Sequence, residues 1–87
     1  MTPTMTVAEC LETYRKYGIQ MSQDKLTEML RRGIVPFGEA VELNHWSHTI
    51  WRLPFYEYLA QRGVPVTELK EYRAEICALG WEGGRGA

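Results

Sequence analysis

The sequence predicts a mainly α-helical domain that carries one small β-hairpin. Two stretches with helical spacing of apolar residues, 7–17 and 22–33, are joined by a connection of only a few residues. Extended runs rich in β-branched and aromatic residues follow at 34–43 and 48–53, and a polar stretch at 44–47 separates them. Two further helical segments complete the predicted order: helix, tight turn, helix, hairpin, helix, helix.

Length and composition agree with one small soluble domain. The 87 residues are 45% hydrophobic and 24% charged, which is ordinary for a globular protein. No apolar run approaches the roughly 20 residues needed to cross a bilayer. The N-terminal residues have neither the basic start nor the apolar core of a signal peptide. We therefore expect a cytoplasmic protein without a membrane span.

The first two helices carry clear start and stop signals. Thr6 and Glu9 have the spacing of a capping box, and Gly18 is placed to end the first helix in a left-handed conformation. Ser22 is the expected N-cap of the second helix, and Gly33 its end. Because the connection between these helices is so short, they must cross steeply, as in a helix-turn-helix. Residues 1–5 are expected to be a loose lead-in.

The hairpin prediction rests on period-two alternation. Phe37, Val41 and Leu43 share one face of the first strand, and 44–47 forms the turn, which places Trp46 at the tip. In the returning strand, 48–53, the even-numbered residues lie on one face and the odd-numbered ones on the other. One face must rest on the helices, because an isolated hairpin is only marginally stable in water.

The C-terminal part is predicted to hold two helices and a tail. Pro54 suits the first turn of a third helix, and Thr67 caps a fourth helix with an apolar stripe at Leu69, Tyr72, Ile76 and Leu79. We divide the chain into a domain at 6–62, a C-terminal helix at 64–79 that Gly80 ends, and a disordered glycine-rich tail at 80–87. The stripe either packs on the preceding helices or pairs with a second subunit.

Across about residues 6–62 the chain resembles a known family of small DNA-binding proteins. The pattern is Ser22-x-x-x-Leu26-x-x-x-Leu30-Arg31-x-Gly33-x-Val35-Pro36, followed by Trp51-Arg52-Leu53-Pro54. It is similar to the excisionase-type branch of the MerR-like winged helix-turn-helix superfamily. The resemblance implies a protein of a phage or mobile element that binds double-stranded DNA. It would act in recombination beside an integrase-type recombinase, or in transcription regulation, and as a homodimer if the C-terminal helix pairs.

The resemblance also implies a set of DNA contacts. The second helix would enter the major groove, where Gln pairs with adenine and Arg with guanine, and the hairpin would be the wing that meets the backbone or minor groove. The helix residues implied are Gln23, Lys25, Thr27, Arg31 and Arg32. The hairpin residues implied are Asn44, His45, Ser47 and Arg52.

The charge of the chain argues for weak DNA binding by a monomer. The chain has ten basic and eleven acidic residues, for a net charge of −1. Counterion release would therefore contribute little to DNA binding. The family commonly has basic or aromatic residues where this chain has Thr27 and Glu28, and a basic wing where it has Glu39 and Glu42. The alternative is a protein-binding module of the same fold, either a phage accessory protein or an inhibitor of a host defence enzyme. Its partner would contact Trp46, and the basic residues of the second helix would simply be solvated.

The remaining reactive residues indicate neither an enzyme nor a metalloprotein. Cys10 and Cys77 fall inside apolar helical patterns and are expected to be reduced core thiols. The pair His45 and His48 has the wrong spacing for helix-borne zinc ligands, and the cysteines are far apart. No carboxylate pair, activated nucleophile or phosphate-binding loop is evident. We therefore expect no catalytic residues, no metal and no cofactor.

Overall fold

The structure is a computed structural model that describes residues 1–78. Over these residues it is a small α/β domain, mainly helical, with four helices and a three-stranded antiparallel sheet of order β1-β3-β2. The elements are β1 (Thr4–Met5), α1 (Val7–Lys16), α2 (Gln23–Arg32), β2 (Gly38–Glu42), β3 (Trp46–Trp51), α3 (Arg52–Gln61) and α4 (Thr67–Ala78). Leu79, the predicted helix end at Gly80 and the predicted disordered tail at 80–87 lie outside the described residues.

The predicted starts of α1 and α2 are confirmed by their caps. The Thr6 hydroxyl accepts a hydrogen bond from the Glu9 amide at 3.1 Å, and the Glu9 carboxylate accepts one from the Thr6 amide at 2.9 Å. The Ser22 hydroxyl accepts a hydrogen bond from the Lys25 amide at 3.1 Å. These bonds satisfy amides that have no partner inside the first helical turn.

Glycine ends both helices, as predicted. Gly18 has φ +73° and Gly33 has φ +66°, a left-handed conformation that side-chain-bearing residues rarely adopt. The following amides then bond back into the helix: Ile19 donates to the Tyr14 carbonyl at 2.9 Å, and Ile34 to the Met29 carbonyl at 3.3 Å. The chain therefore leaves α1 and α2 in defined directions.

The core lies between the helices and the inner face of the sheet. Phe37 and Phe55 are fully buried, and their rings meet edge-on with centroids 5.0 Å apart. Tyr14 of α1 packs on the other side of Phe55 at 5.3 Å. Leu26 and Leu30 bury the inner side of α2 against the same cluster. Edge-to-face aromatic pairs add to the stability gained from apolar burial.

The hairpin is present, but its turn is shifted from the predicted position. β2 pairs with β3 so that Glu42 lies opposite Trp46 and Val41 opposite Ser47. Trp46 and Ser47 therefore belong to the returning strand and not to the turn. Val41 and Leu43 are 50% and 72% exposed while Phe37 is buried, so the three residues predicted to share one face do not share one environment. Ile50 lies on the face that packs against the helices, where it is fully buried opposite Gly38.

The expectation that residues 1–5 form a loose lead-in is wrong, because Thr4 and Met5 form a third strand. Thr4 and Met5 pair with the end of β3, and Met5 is buried. Arg52 holds this strand in place, since its guanidinium donates to the Thr2 carbonyl at 2.6 Å and to the Thr4 carbonyl at 3.3 Å. A two-residue strand has no usable sequence pattern, and its position depends on an arginine about 50 residues later.

Arg52 is therefore not a strand residue of the hairpin. It is the first residue of α3 and only 8% exposed, and its Nη1 also donates to the Tyr56 hydroxyl at 2.9 Å. Pro54 lies in the first turn of α3, as predicted, where its missing amide leaves no hydrogen bond unmade. The sequence pattern extended the strand to residue 53, because Pro54 indicated the start of the helix. The helix begins two residues earlier, at Arg52.

Helix α4 packs on the rest of the domain. Tyr72 is buried, and Leu69 and Ile76 are packed against the core. Glu68 joins α4 to the end of α1 by accepting hydrogen bonds from the Tyr17 hydroxyl and from Lys16, the latter at 2.7 Å. The described part of the stripe is thus used within the chain. Among residues 1–78, no helix has the length and apolar character needed to span a bilayer.

The Arg52 contacts predict a large loss of stability on truncation. Arg52→Met keeps the apolar stem and the hydrogen bond from the Arg52 backbone amide to the Pro3 carbonyl at 2.8 Å. It removes every side-chain donor to the Thr2 and Thr4 carbonyls, so we expect unfolding to become easier by about 2–3 kcal/mol. Urea unfolding followed by circular dichroism measures this. Arg73→Met is the control, because the Arg73–Glu57 ion pair is exposed and such pairs contribute about 0–1 kcal/mol. Equal losses in the two variants would contradict the assigned role of Arg52.

The two cysteines differ in reactivity, and only one is a core thiol. Cys10 is fully buried, whereas Cys77 is exposed on α4, so the prediction of two core thiols is wrong for Cys77. Burial raises the pKa of the Cys10 thiol to about 12. Because the thiolate is the reactive form, native Cys10 should be inert at pH 8.

A thiol-reactive dye should therefore label one cysteine quickly in the native protein and the second only after unfolding. Cys77→Ser should remove the fast phase and leave the slow one. Two fast phases in the native wild-type protein would show that Cys10 is accessible.

Candidate nucleic-acid interface

Two rows of side chains run along the exposed side of α2. Leu26 and Leu30 face the core, so the residues at four-residue spacing on the other side face solvent. The first row, on the hairpin side of the helix, ends at Arg31 and consists of Gln23, Thr27 and Arg31. The second row consists of Asp24, Glu28 and Arg32. The predicted helix contacts are therefore divided between a polar row and a largely acidic one.

Arg31 lies at the junction of α2 and the hairpin. Its guanidinium stacks over the Trp46 ring with the carbon 4.9 Å from the ring centroid. Trp46 is half-buried beneath it, so this tryptophan is not an exposed residue at a hairpin tip. Within residues 1–78 the Arg31 guanidinium donates no hydrogen bond and forms no ion pair. Stacking holds the position of the group while leaving its donors unused.

Arg32 and Thr27 are committed to contacts within α2. The Arg32 Nε donates to the Glu28 carboxylate at 2.7 Å, which neutralises its charge locally. The Thr27 hydroxyl is within hydrogen-bond distance of the Gln23 carbonyl at 2.9 Å and the Asp24 carbonyl at 3.2 Å. Both side chains would have to break or share these bonds to donate to another molecule. Neighbouring residues of one helix thus differ in what they offer a ligand.

Lys25 lies on the opposite side of α2 from the hairpin. It is exposed, and over the described part of the chain no carboxylate comes within 4 Å of its ammonium. It lines the groove between α1 and α2 together with Arg15. A molecule that contacted both Lys25 and Arg31 would have to extend across the whole width of α2.

The end of the hairpin presents a polar cluster beside acidic residues. Asn44 and His45 form the exposed turn, and Ser47 is exposed at the start of β3. Glu39 and Glu42 are exposed on β2. Because Arg52 is buried at the start of α3, it adds no positive charge here, and its predicted role as a hairpin contact is wrong.

The candidate surface as a whole carries mixed charge. It holds three cations and four carboxylates, so no continuous basic stripe runs from α2 to the hairpin. The cations are Lys25, Arg31 and Arg32, and the carboxylates are those of Asp24, Glu28, Glu39 and Glu42. Any attraction to a polyanion has to come from Arg31 and Lys25, whose charges are not paired in the described structure.

His48 lies in β3, two residues after Trp46 and next to the candidate surface. Its ring is partly buried on the inner face of β3, and its Nε2 is buried without a hydrogen-bond partner among residues 1–78. It borders a small hollow at the start of α1 that includes Thr6 and Glu9. Burial, and then the positive charge of Arg31, lowers the pKa of His48 below its usual value of 6.5. The imidazole is therefore neutral at pH 7.

Comparison with known proteins adds no relative. The chain matches no protein-family model, no curated protein and no solved structure.

Over residues 1–78, no group of three or more His, Cys, Asp or Glu side chains is close enough to hold a metal ion. His45 and His48 lie on different parts of the hairpin, one in the exposed turn and one on the inner face. The candidate site thus rests on its own geometry.

Sequence reasoning missed the arrangement that distinguishes the site. It named Arg31 and Trp46 separately, one as a helix contact and the other as a partner contact, whereas the structure stacks them. No pattern in the chain indicates this pair, because the contact depends on how α2 docks on the hairpin. The buried position of His48 was missed for the same reason.

The depressed pKa of His48 predicts a pH dependence of stability. Below about pH 6.5 the unfolded chain binds a proton at this position more readily than the folded one, so stability falls as pH falls. His48→Gln should therefore lose less stability than the wild-type protein between pH 7 and pH 5. Urea unfolding at each pH measures the difference. His45→Gln, at the exposed turn, is the control and should follow the wild-type slope; an equal slope in all three proteins would contradict the assignment.

Proposed function

We propose that this protein is a small winged helix-turn-helix DNA-binding protein of excisionase type, from a phage or mobile element. In this proposal α1 and α2 are the helix-turn-helix, and the β2–β3 hairpin is the wing. It would organise a DNA site for a recombinase or regulate transcription at such a site. The support is the match between the element order and the resemblance in residues 6–62, together with the geometry around Arg31.

The single observation that carries the proposal is the stack of Arg31 on Trp46. A guanidinium held over an aromatic ring keeps its N–H groups free, and these can bind guanine or a phosphate bidentately. The stack also places this group between α2 and the hairpin, where helix and wing would meet one duplex. Gln23, in the same row of α2, would add a base contact about two helical turns away.

The charge of the surface sets the expected strength of binding. With about three cations and nearby carboxylates, one copy neutralises few phosphates, so affinity should be low and its salt dependence shallow. An accessory role beside a recombinase or polymerase fits a weak binder, because the partner supplies additional affinity. Dimerisation through the apolar stripe of α4 is not part of the proposal, since Tyr72 already buries that stripe against the chain's own core.

The proposal predicts that Arg31 dominates DNA affinity. We expect Arg31→Ala to weaken binding to a randomised duplex at low salt by about 5- to 100-fold, as for the loss of one bidentate contact. Trp46→Ala should weaken binding less, because it removes only the stacking support. Fluorescence anisotropy with a labelled duplex measures both effects.

Lys70→Ala is the matched control, because Lys70 is an exposed cation on α4, outside the candidate surface. It should bind like the wild-type protein. Absence of any bound duplex at micromolar protein, with Arg31→Ala indistinguishable from wild type, would refute the proposal.

A protein-binding module of the same fold is the second candidate, and the outer side of the hairpin favours it. Val41, Leu43 and Trp51 are 41–72% exposed there, beside Glu39. Exposed apolar side chains grouped on one face are a feature of protein interfaces, and the adjacent carboxylates would repel DNA. In this reading the protein is a phage accessory protein or an inhibitor of a host defence enzyme. If Trp51→Ser binds DNA like the wild-type protein, the outer side of the hairpin is not used for DNA and is available to such a partner.

A further inference from the structure

Apart from Lys25 on its rim, a groove between α1 and α2 has no role in the DNA-binding proposal. It has a volume of about 630 Å³ and lies on the side of α2 away from the hairpin. Its floor is formed by Leu11 of α1 and by Ile19 and Met21 of the connection, and its rim carries Arg15 and Lys25. We name this feature the α1–α2 groove.

The floor of the α1–α2 groove is apolar and accessible. Leu11, Ile19 and Met21 are each only partly buried, although they pack against the core from outside. Side chains of this kind, grouped in a concavity of several hundred Å³, are typical of sites that receive apolar groups of a ligand. The charged phosphates of a nucleic acid have no apolar part that would occupy this floor.

The rim supplies two cations that are available to a ligand. The Arg15 guanidinium is 3.4 Å from the Glu12 carboxylate, but both side chains are about 75% exposed, and such a pair adds little stability. Lys25 has no carboxylate within 4 Å in the part of the chain that the structure describes. A carboxylate on an incoming ligand therefore meets the unpaired ammonium of Lys25 on one side of the apolar floor. On the other side it meets Arg15, whose exposed pair with Glu12 can be exchanged at little cost.

The shape of the groove is set by hydrogen bonds within the chain. The Gly18 amide donates to the Arg15 carbonyl at 3.0 Å, and the Ile19 amide donates to the Tyr14 carbonyl at 2.9 Å. The Ser22 cap then fixes the start of α2. A preformed groove binds a ligand without the entropic cost of ordering a loop.

We propose that the α1–α2 groove binds an acidic amphipathic helix of a partner protein. Two apolar side chains spaced three or four residues apart would occupy the floor, as in other helix-in-groove complexes. Carboxylates flanking them would pair with Arg15 and Lys25. Charge complementarity and the apolar floor together favour this partner over DNA. The groove shares Lys25 with the candidate DNA surface, but it does not involve Arg31, the residue on which the proposed DNA affinity mainly depends.

The test uses the full chain, labelled with ¹⁵N, and a synthetic probe. The probe is an alanine-based helical peptide with two leucines four residues apart, flanked by glutamates. One matched peptide has lysine in place of each glutamate, and another has serine in place of each leucine. We expect the acidic leucine peptide to shift the amide signals of Ile19, Met21 and Lys25. Both matched peptides should bind about tenfold more weakly or worse.

Variants of the chain separate this site from the DNA site. Lys25→Glu and Arg15→Glu should each weaken the acidic peptide about tenfold, because they place like charges together. Met21→Ser should weaken it through the floor, whereas Lys70→Glu, on α4, should leave it unchanged. Thermal unfolding of each variant verifies that it is folded. Arg31→Ala should leave peptide binding intact even where it abolishes DNA binding.

Three results would overturn the proposal. Equal binding of the acidic and lysine peptides would show a non-selective apolar pocket. Shifts confined to residues outside the α1–α2 groove would place the peptide elsewhere. In the third result, a short duplex displaces the acidic peptide, Arg15→Glu and Lys25→Glu weaken binding of that duplex, and Met21→Ser changes the binding of neither ligand. The groove would then be part of a site for the DNA backbone.

Discussion

The close packing of α2 on β2 at Gly38 is the contact on which the candidate surface depends. A Cβ at this position would lie 2.6 Å from Leu30 Cδ2 and 2.7 Å from the Thr49 carbonyl oxygen, so only glycine permits this approach. Leu30 is consequently almost fully buried, and the rotation of α2 about its axis is set. The next residue, Arg31, then points toward the hairpin and reaches Trp46. A packing constraint in the core thus decides the position of the principal surface cation.

Three arginines of this chain differ in chemistry because their surroundings differ. Arg31 rests on an aromatic face and keeps its donors, whereas Arg32 gives its Nε hydrogen bond to Glu28. Arg52 is buried and uses its donors to hold the N-terminal strand. Residue type alone would treat the three as equivalent basic contacts. Their environments make one a candidate ligand contact, one a locally neutralised surface residue and one a structural clamp.

Both proposed surfaces are built on the two sides of one short helix. The hairpin side of α2 presents Arg31, and the other side presents Lys25 above the apolar connection to α1. Because the chain is nearly neutral, few counterions would be released, so non-specific attraction to nucleic acid contributes little. A protein partner held at the α1–α2 groove would lie beside any duplex that contacts Arg31. If that partner also binds DNA, its contacts and those of Arg31 with one duplex would strengthen each other through proximity.

The starts and ends of α1 and α2 were determined by the sequence itself, because caps and glycine stops act over three to five residues. Thr6 with Glu9, Ser22, Gly18 and Gly33 all took their predicted roles. The hairpin was predictable as an element, but its register was not, since period-two alternation does not say which residues face the helices. The strand β1, the burial of Arg52 and the stack of Arg31 on Trp46 join residues distant in sequence. Only the tertiary structure could decide these, because each depends on how separately formed elements pack together.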